Sequence, residues 1–174
     1  YAVPANGVRA TSVALGAGPF NANPFLLDLT SPAIGLLLNA GSTEGNNLIT
    51  GSFQGLATRA IDIQGGTLGQ IRNAHLECGA VATGNGIRIQ NHDRMTVGPD
   101  ILVAACVASN VGLTLLNADN TTIDGYKGED ISIDSASANV VIRDVTTNAF
   151  AASTILDSST TTIYQHPVKT SSTI

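Results

Sequence analysis

Two apolar positions flanking one variable position recur six times along the chain, in "GLLLN" at 35, "AIDIQ" at 60, "GIRIQ" at 86, "GLTLL" at 112, "DISID" at 130 and "STILD" at 153. Such alternation places residues i and i+2 on one face and marks a half-buried strand. A second motif follows each of the first: "NLITG", "GQIRN", "MTVGP", "TTIDG", "VVIRD" and "TTIYQ". The first-motif markers Leu38, Ile63, Ile89, Leu115, Ile133 and Leu156 are spaced 25, 26, 26, 18 and 23. The second-motif markers Ile49, Ile71, Val97, Ile123, Ile142 and Ile163 are spaced 22, 26, 26, 19 and 21. The two series run in step.

A strand, a tight turn, a second strand and a longer return, repeated at this length, predict one coil of a parallel β-solenoid per repeat. Leucine-rich repeats have a similar period, but their L-x-x-L-x-L pattern is missing and no segment holds helical apolar spacing. The expected fold is all-β: a right-handed parallel β-helix of about six coils over residues 35–166. Residues 1–34, punctuated by Pro4, Pro19, Pro24 and Pro32, are expected to be an irregular cap or linker, and 167–174 a tail. The inward pairs Leu36/Leu38, Ile61/Ile63, Ile87/Ile89, Leu113/Leu115 and Ile131/Ile133 should stack at about 4.8 Å into an aliphatic column. The residues ending the first strand, Asn39, Gln64, Gln90, Leu116, Asp134 and Asp157, read as a turn ladder broken at Leu116.

Composition narrows the function. Charged residues are 12% and aromatics 4%, so small and β-branched aliphatics must build the core. A net charge of -5, with Lys127 and Lys169 the only lysines, leaves no basic stripe for nucleic acid. The longest aliphatic run, Leu36–Leu38, is far short of the ~20 residues that span a bilayer, so no membrane insertion is expected. The start at Tyr1 reads as a piece cut from something longer. Cys78 and Cys106 read as two buried thiols, and no metal or cofactor is expected.

The stretches "NGIRIQNHDRMTV", "NVGLTLLNADNTTIDG" and "ISIDSASANVVIRDV" resemble coils of the pectin-lyase-like superfamily of right-handed parallel β-helices. The matching positions are structural: inward aliphatics and turn amides. Within that superfamily the low charge and the Ala/Thr/Ser/Asn/Gly-rich composition are most similar to the β-helical part of bacteriophage tailspikes. That resemblance implies a homotrimer on a virion tail, joined to the rest of the tailspike and binding bacterial surface polysaccharide. The resemblance equally admits a secreted glycoside hydrolase or lyase; a surface adhesin solenoid is a third reading. No family catalytic motif matches here residue by residue.

Outward positions must carry any chemistry. On the first strand these are Leu37, Asp62, Arg88, Thr114, Ser132 and Ile155, which makes Asp62 and Arg88 vertical neighbours. After the second marker come Thr50, Arg72, Gly98, Asp124, Arg143 and Tyr164, which stacks Asp124 with Arg143. Each pair reads either as an exposed interstrand ion pair or as part of a sugar groove in which Arg grips acidic or hydroxylated units. Asp62, Arg72, Arg88, Asp124 and Arg143 are therefore the candidate carbohydrate contacts; a catalytic pair of carboxyls is not evident. "GYKGED" reads as a solvated loop, and His92-Asp93 as a surface turn.

Overall fold

A parallel ladder can only close if each strand finds its partner one full coil away, and the computed structural model shows that arrangement throughout. It describes residues 24–30, 34–39, 47–56, 59–78, 86–104, 111–147, 155–165 and 168–169, among which there is no helix. In chain order the strands are β1 (Pro24–Thr30), β2 (Ile34–Asn39), β3 (Asn47–Leu56), β4 (Arg59–Gln64), β5 (Thr67–Cys78), β6 (Ile87–Val97), β7 (Ile101–Ala104) and β8 (Val111–Asp119). They continue as β9 (Thr122–Asp124), β10 (Tyr126–Gly128), β11 (Asp130–Ile133), β12 (Val141–Arg143), β13 (Val145–Thr147), β14 (Ile155–Asp157), β15 (Ile163–Tyr164) and β16 (Val168–Lys169).

All pairings are parallel and build three faces. The first stacks β2, β4, the start of β6, β8, β11 and β14. The second stacks the opening halves of β3 and β5, the end of β6, then β9, β12 and β15. The third carries the later halves of β3 and β5, then β7, β10, β13 and β16.

The solenoid has about four turns with three faces and a closed interior, built by β4–β5, β6–β7, β8–β10 and β11–β13, where the repeat pattern counted six. The ladders continue beyond them into β1–β3 and β14–β16. β1 lies inside the stretch expected to cap the column. It pairs with β3 over the second and third faces only, so it carries no first-face motif. Val168–Lys169 of the expected tail likewise pairs with β13. The other residues of both segments, Cys106, and the side chain of Cys78 lie outside what is described, so the thiol reading does too.

The aliphatic column forms as expected. Ile61, Ile87, Leu113 and Ile131 lie in register, as do Ile63, Ile89, Leu115 and Ile133, all essentially buried. Ile49, Ile71, Val97, Ile123 and Ile142 line the second face and are also buried. Each such side chain withdrawn from water contributes roughly 1.5–3 kcal/mol. The last turn departs by one residue. Ile155, expected to face outward, stacks on Ile131 and packs against the core, whereas the marker Leu156 follows Ser132 and is 55% exposed. Asp157 then falls over Ile133 and Tyr164 over Ile142, and the Tyr164 hydroxyl donates to Asp157 Oδ2 at 2.7 Å. A polar bond thus roofs a column of methyl groups.

Corners take the left-handed conformation. Most residues of positive φ fall in three vertical series: Gly65, Asn91 and Asn117; Leu68, Arg94, Asn120 and Asn139; Asn73, Asp100, Gly125 and Asp144. Gly, Asn and Asp are the residues that occupy this region most readily. Amide ladders run along two corners, the first of them one residue beyond the positions assigned from sequence. Asn117 Nδ2 donates to Asn91 Oδ1 at 2.9 Å and Asn139 Nδ2 to Asn120 Oδ1 at 3.2 Å, so Leu116 interrupts nothing. Asp134 behaves as anticipated, accepting Asn117 N from the turn below at 3.0 Å.

"GYKGED" is not a solvated loop. Tyr126 belongs to the inward series Ala74, Ile101, Tyr126 and Val145, and its buried hydroxyl donates to the Glu129 carbonyl at 3.0 Å. Glu129 alone joins β10 to β11, so the return that consumes residues 105–110 one coil earlier shrinks to a single residue here. That accounts for most of the fall in marker spacing from 26 to 18. Small residues make room for the phenol, because a Cβ on Gly112 would overlap the Tyr126 hydroxyl. Gly112→Ala should therefore destabilise the fold by about 1–3 kcal/mol through overpacking. Tyr126→Phe in the same chain should recover part of that loss, giving a non-additive double-mutant cycle in chemical denaturation. Strict additivity would show that the two positions do not meet.

Candidate functional site

Vertical stacking joins two of the candidate pairs and keeps them apart from each other. On the first face, Asp62 lies in register with Arg88, which grips it through Nε at 2.8 Å and Nη2 at 2.7 Å. Such a fork fixes both the distance and the plane of the guanidinium. Arg59 Nη1 at 3.3 Å and Gln64 Nε2 at 3.2 Å complete the set on Asp62 Oδ2. The carboxylate is only 1% exposed, so the pair is not the open surface bridge that alternation suggested. Its arginines reach solvent in part, at 18% for Arg88 and 23% for Arg59. Arg59 Nε is buried without a partner.

On the second face, Arg143 and Asp124 are in register and bonded at 2.9 Å, half-exposed. Arg72 stands exposed at the same edge two layers below Asp124, with Gly98 between. Two rises of about 4.8 Å separate it from the ion pair. Tyr164, expected to continue this row, instead turns over the core as described above.

One carboxyl pair escaped the sequence reading. Asp93 and Asp119 are in register on adjacent coils, and their 26-residue separation, equal to the marker spacing, was the available signal. One rise of about 4.8 Å is close to the ~5 Å at which retaining glycosidases hold two carboxyls. Their hydrogen bonds are structural, however. Asp93 Oδ1 accepts Asn120 Nδ2 at 2.6 Å and Oδ2 accepts Arg94 Nε at 2.8 Å, while Asp119 Oδ1 accepts Ala138 N at 2.9 Å. The Asn120 bond, helped by Arg94, holds Asp93 below the ordinary carboxylate range. A general acid needs the opposite shift. Among the described residues no cluster of three His, Cys, Asp or Glu has metal-binding arrangement.

His92 is the other correction. Where alternation and the His-Asp pair predict a surface turn, the imidazole is 5% exposed beside Met95 and Gly69, and the corner folds it between neighbouring coils. Burial lowers its pKa to about 4 despite the adjacent Asp93 charge, and Nδ1 has no partner.

No family model matches the chain, and no curated protein matches it. Among solved structures, a protein from Parabacteroides merdae described as a "putative glycosyl hydrolase" is similar at 16% identity and a TM-score of 0.44, covering 86% of this chain and 82% of its own.

The buried imidazole makes stability pH-dependent. A base whose pKa falls on folding binds more protons in the unfolded chain, so stability declines as pH drops from 6.5 to about 4. The full loss is on the order of 3 kcal/mol. His92→Gln should flatten melting temperature across this window; an unchanged slope would place the titrating group elsewhere.

Proposed function

We propose that this chain is a polysaccharide-recognising β-solenoid segment of a trimeric phage tailspike or tail fibre, which binds bacterial surface glycan without cleaving it. The observation that carries this reading is the open edge of the second face, where Arg72, Asp124 and Arg143 present charged donors and acceptors at fixed vertical intervals. A rigid ladder of this kind suits a repeating ligand, because the groups that meet successive sugar units need no ordering on contact. Outward apolar side chains at Leu102, Leu156 and Ile163 supply surface that parallel neighbouring columns would cover. Virion attachment and assembly with the rest of the tailspike belong to the same reading.

The second reading is a polysaccharide-degrading enzyme, and Asp93 stacked on Asp119 is the observation in its favour. Against it stand the lowered pKa of Asp93 and the commitment of both carboxylates to corner hydrogen bonds.

The readings separate in one assay series. Purified protein should retain bacterial surface polysaccharide in affinity electrophoresis, and Arg143→Gln should weaken retention about 10-fold, the scale of one charge-assisted contact. New reducing ends or unsaturated uronate absorbance should not accumulate. Steady product formation abolished by Asp93→Asn or Asp119→Asn would establish the enzyme instead. Light scattering should give three times the 17.7 kDa chain mass; a monomer at micromolar concentration would remove the tailspike assembly.

A further inference from the structure

The buried first-face cluster holds more positive charge than its carboxylate neutralises. Arg59 and Arg88 both bond Asp62, two guanidiniums against one carboxylate. The first-face segments in the four stacked layers, "IGLLLN" of β2, "RAIDIQ" of β4, "IRIQ" of β6 and "VGLTLL" of β8, contain no other charged residue. One positive charge beyond what Asp62 neutralises is therefore held within these four layers, and the other carboxylates of the face, Asp130 and Asp157, stand further up in β11 and β14.

The two arginines are used unequally. Arg88 spends its Nε–Nη2 edge on the fork to Asp62, which leaves Nη1 and the outer Nη2 hydrogen unengaged by any described residue. Arg59 makes a single long bond of 3.3 Å through Nη1 and keeps Nε unpaired although buried. A buried unpaired donor is costly, and because Nε is enclosed it senses charge placed beside the exposed part of the guanidinium without meeting a ligand itself. Gln64 also donates to Asp62 Oδ2, so that oxygen accepts three side-chain donors while Oδ1 accepts Arg88 Nε. Asp62 thus acts as an anchor that holds two guanidiniums against one carboxylate, while both arginine side chains stay partly exposed, at 23% for Arg59 and 18% for Arg88.

We propose that Arg59 and Arg88, positioned by Asp62, form a receptor for an oxyanion carried on a glycan: the carboxylate of an acidic sugar or the phosphate of a phosphorylated one. The oxyanion class follows from the two guanidiniums, whose planar donor edges match such groups. Its arrival on a glycan rests on the proposed function. Arg72, Asp124 and Arg143 lie on a different face and do not contribute.

Arginine side-chain Nε–H resonances of the intact chain test this directly. Glucuronate, glycerol phosphate and glucose are titrated separately at constant ionic strength. Glucuronate, glycerol phosphate or both should move the Arg59 Nε–H signal saturably, and glucose should not; which anion acts identifies the source. Arg59→Gln, shown by melting to be folded, should bind the active anion at least 10-fold more weakly. If that variant fails to fold, Arg59→Lys, which keeps the charge and loses the planar edge, should show the same weakening. No saturable shift with either anion, an equal shift with glucose, or unweakened binding by the folded variant overturns the site. Anion binding without polysaccharide retention would leave this site standing and remove the proposed function, whereas retention without anion binding does the reverse.

Discussion

The described strands take their backbone partners from adjacent coils, so each turn must bring the chain back to the same place, about 4.8 Å further along. Closure is therefore the governing constraint. It explains why the bends fall in vertical series of left-handed residues, why Asn and Gly occupy most of them, and why amides bond from corner to corner. It also explains the like-on-like core. Once β4, β6, β8 and β11 are held in register, Ile61 must sit on Ile87 and Ile87 on Leu113, whatever else the coils carry.

The same constraint sorts the charges. Residues one coil apart become neighbours regardless of their distance along the chain, so Asp62 meets Arg88, Asp124 meets Arg143, and Asp93 meets Asp119. Environment then separates three superficially similar encounters. The first is enclosed and forked, the second half-open, and the third absorbed into corner hydrogen bonds. Stacking brings groups together; only the accessible and uncommitted ones remain for a ligand.

Stacking was legible because strand periodicity and coil length both leave marks in the sequence, and Asp62–Arg88 and Asp124–Arg143 follow from a marker series alone. Burial was not. Arg59 is three residues from Asp62, a separation that alternation assigns to opposite faces, but β4 does not alternate in burial: Ala60, Ile61, Asp62 and Ile63 are all buried. His92 sits in a corner too, and its enclosure depends on what adjacent coils place around it. The last turn failed for another reason: Ile155-Leu156 and Ile163-Tyr164 are adjacent bulky pairs with no parity of their own, and the ladder below chose which member faced inward.

The one-residue link at Glu129 has an evolutionary corollary. Between the third face of one coil and the first face of the next, the chain spends residues 105–110, then Glu129 alone, then 148–154, while the strands on either side stay in register. Length is thus free to change at this edge. Insertions and deletions accumulated there would vary the rim beside Arg59 without a compensating change in any core position. An engineer could graft peptide segments at the same place and diversify one side of the column as a library.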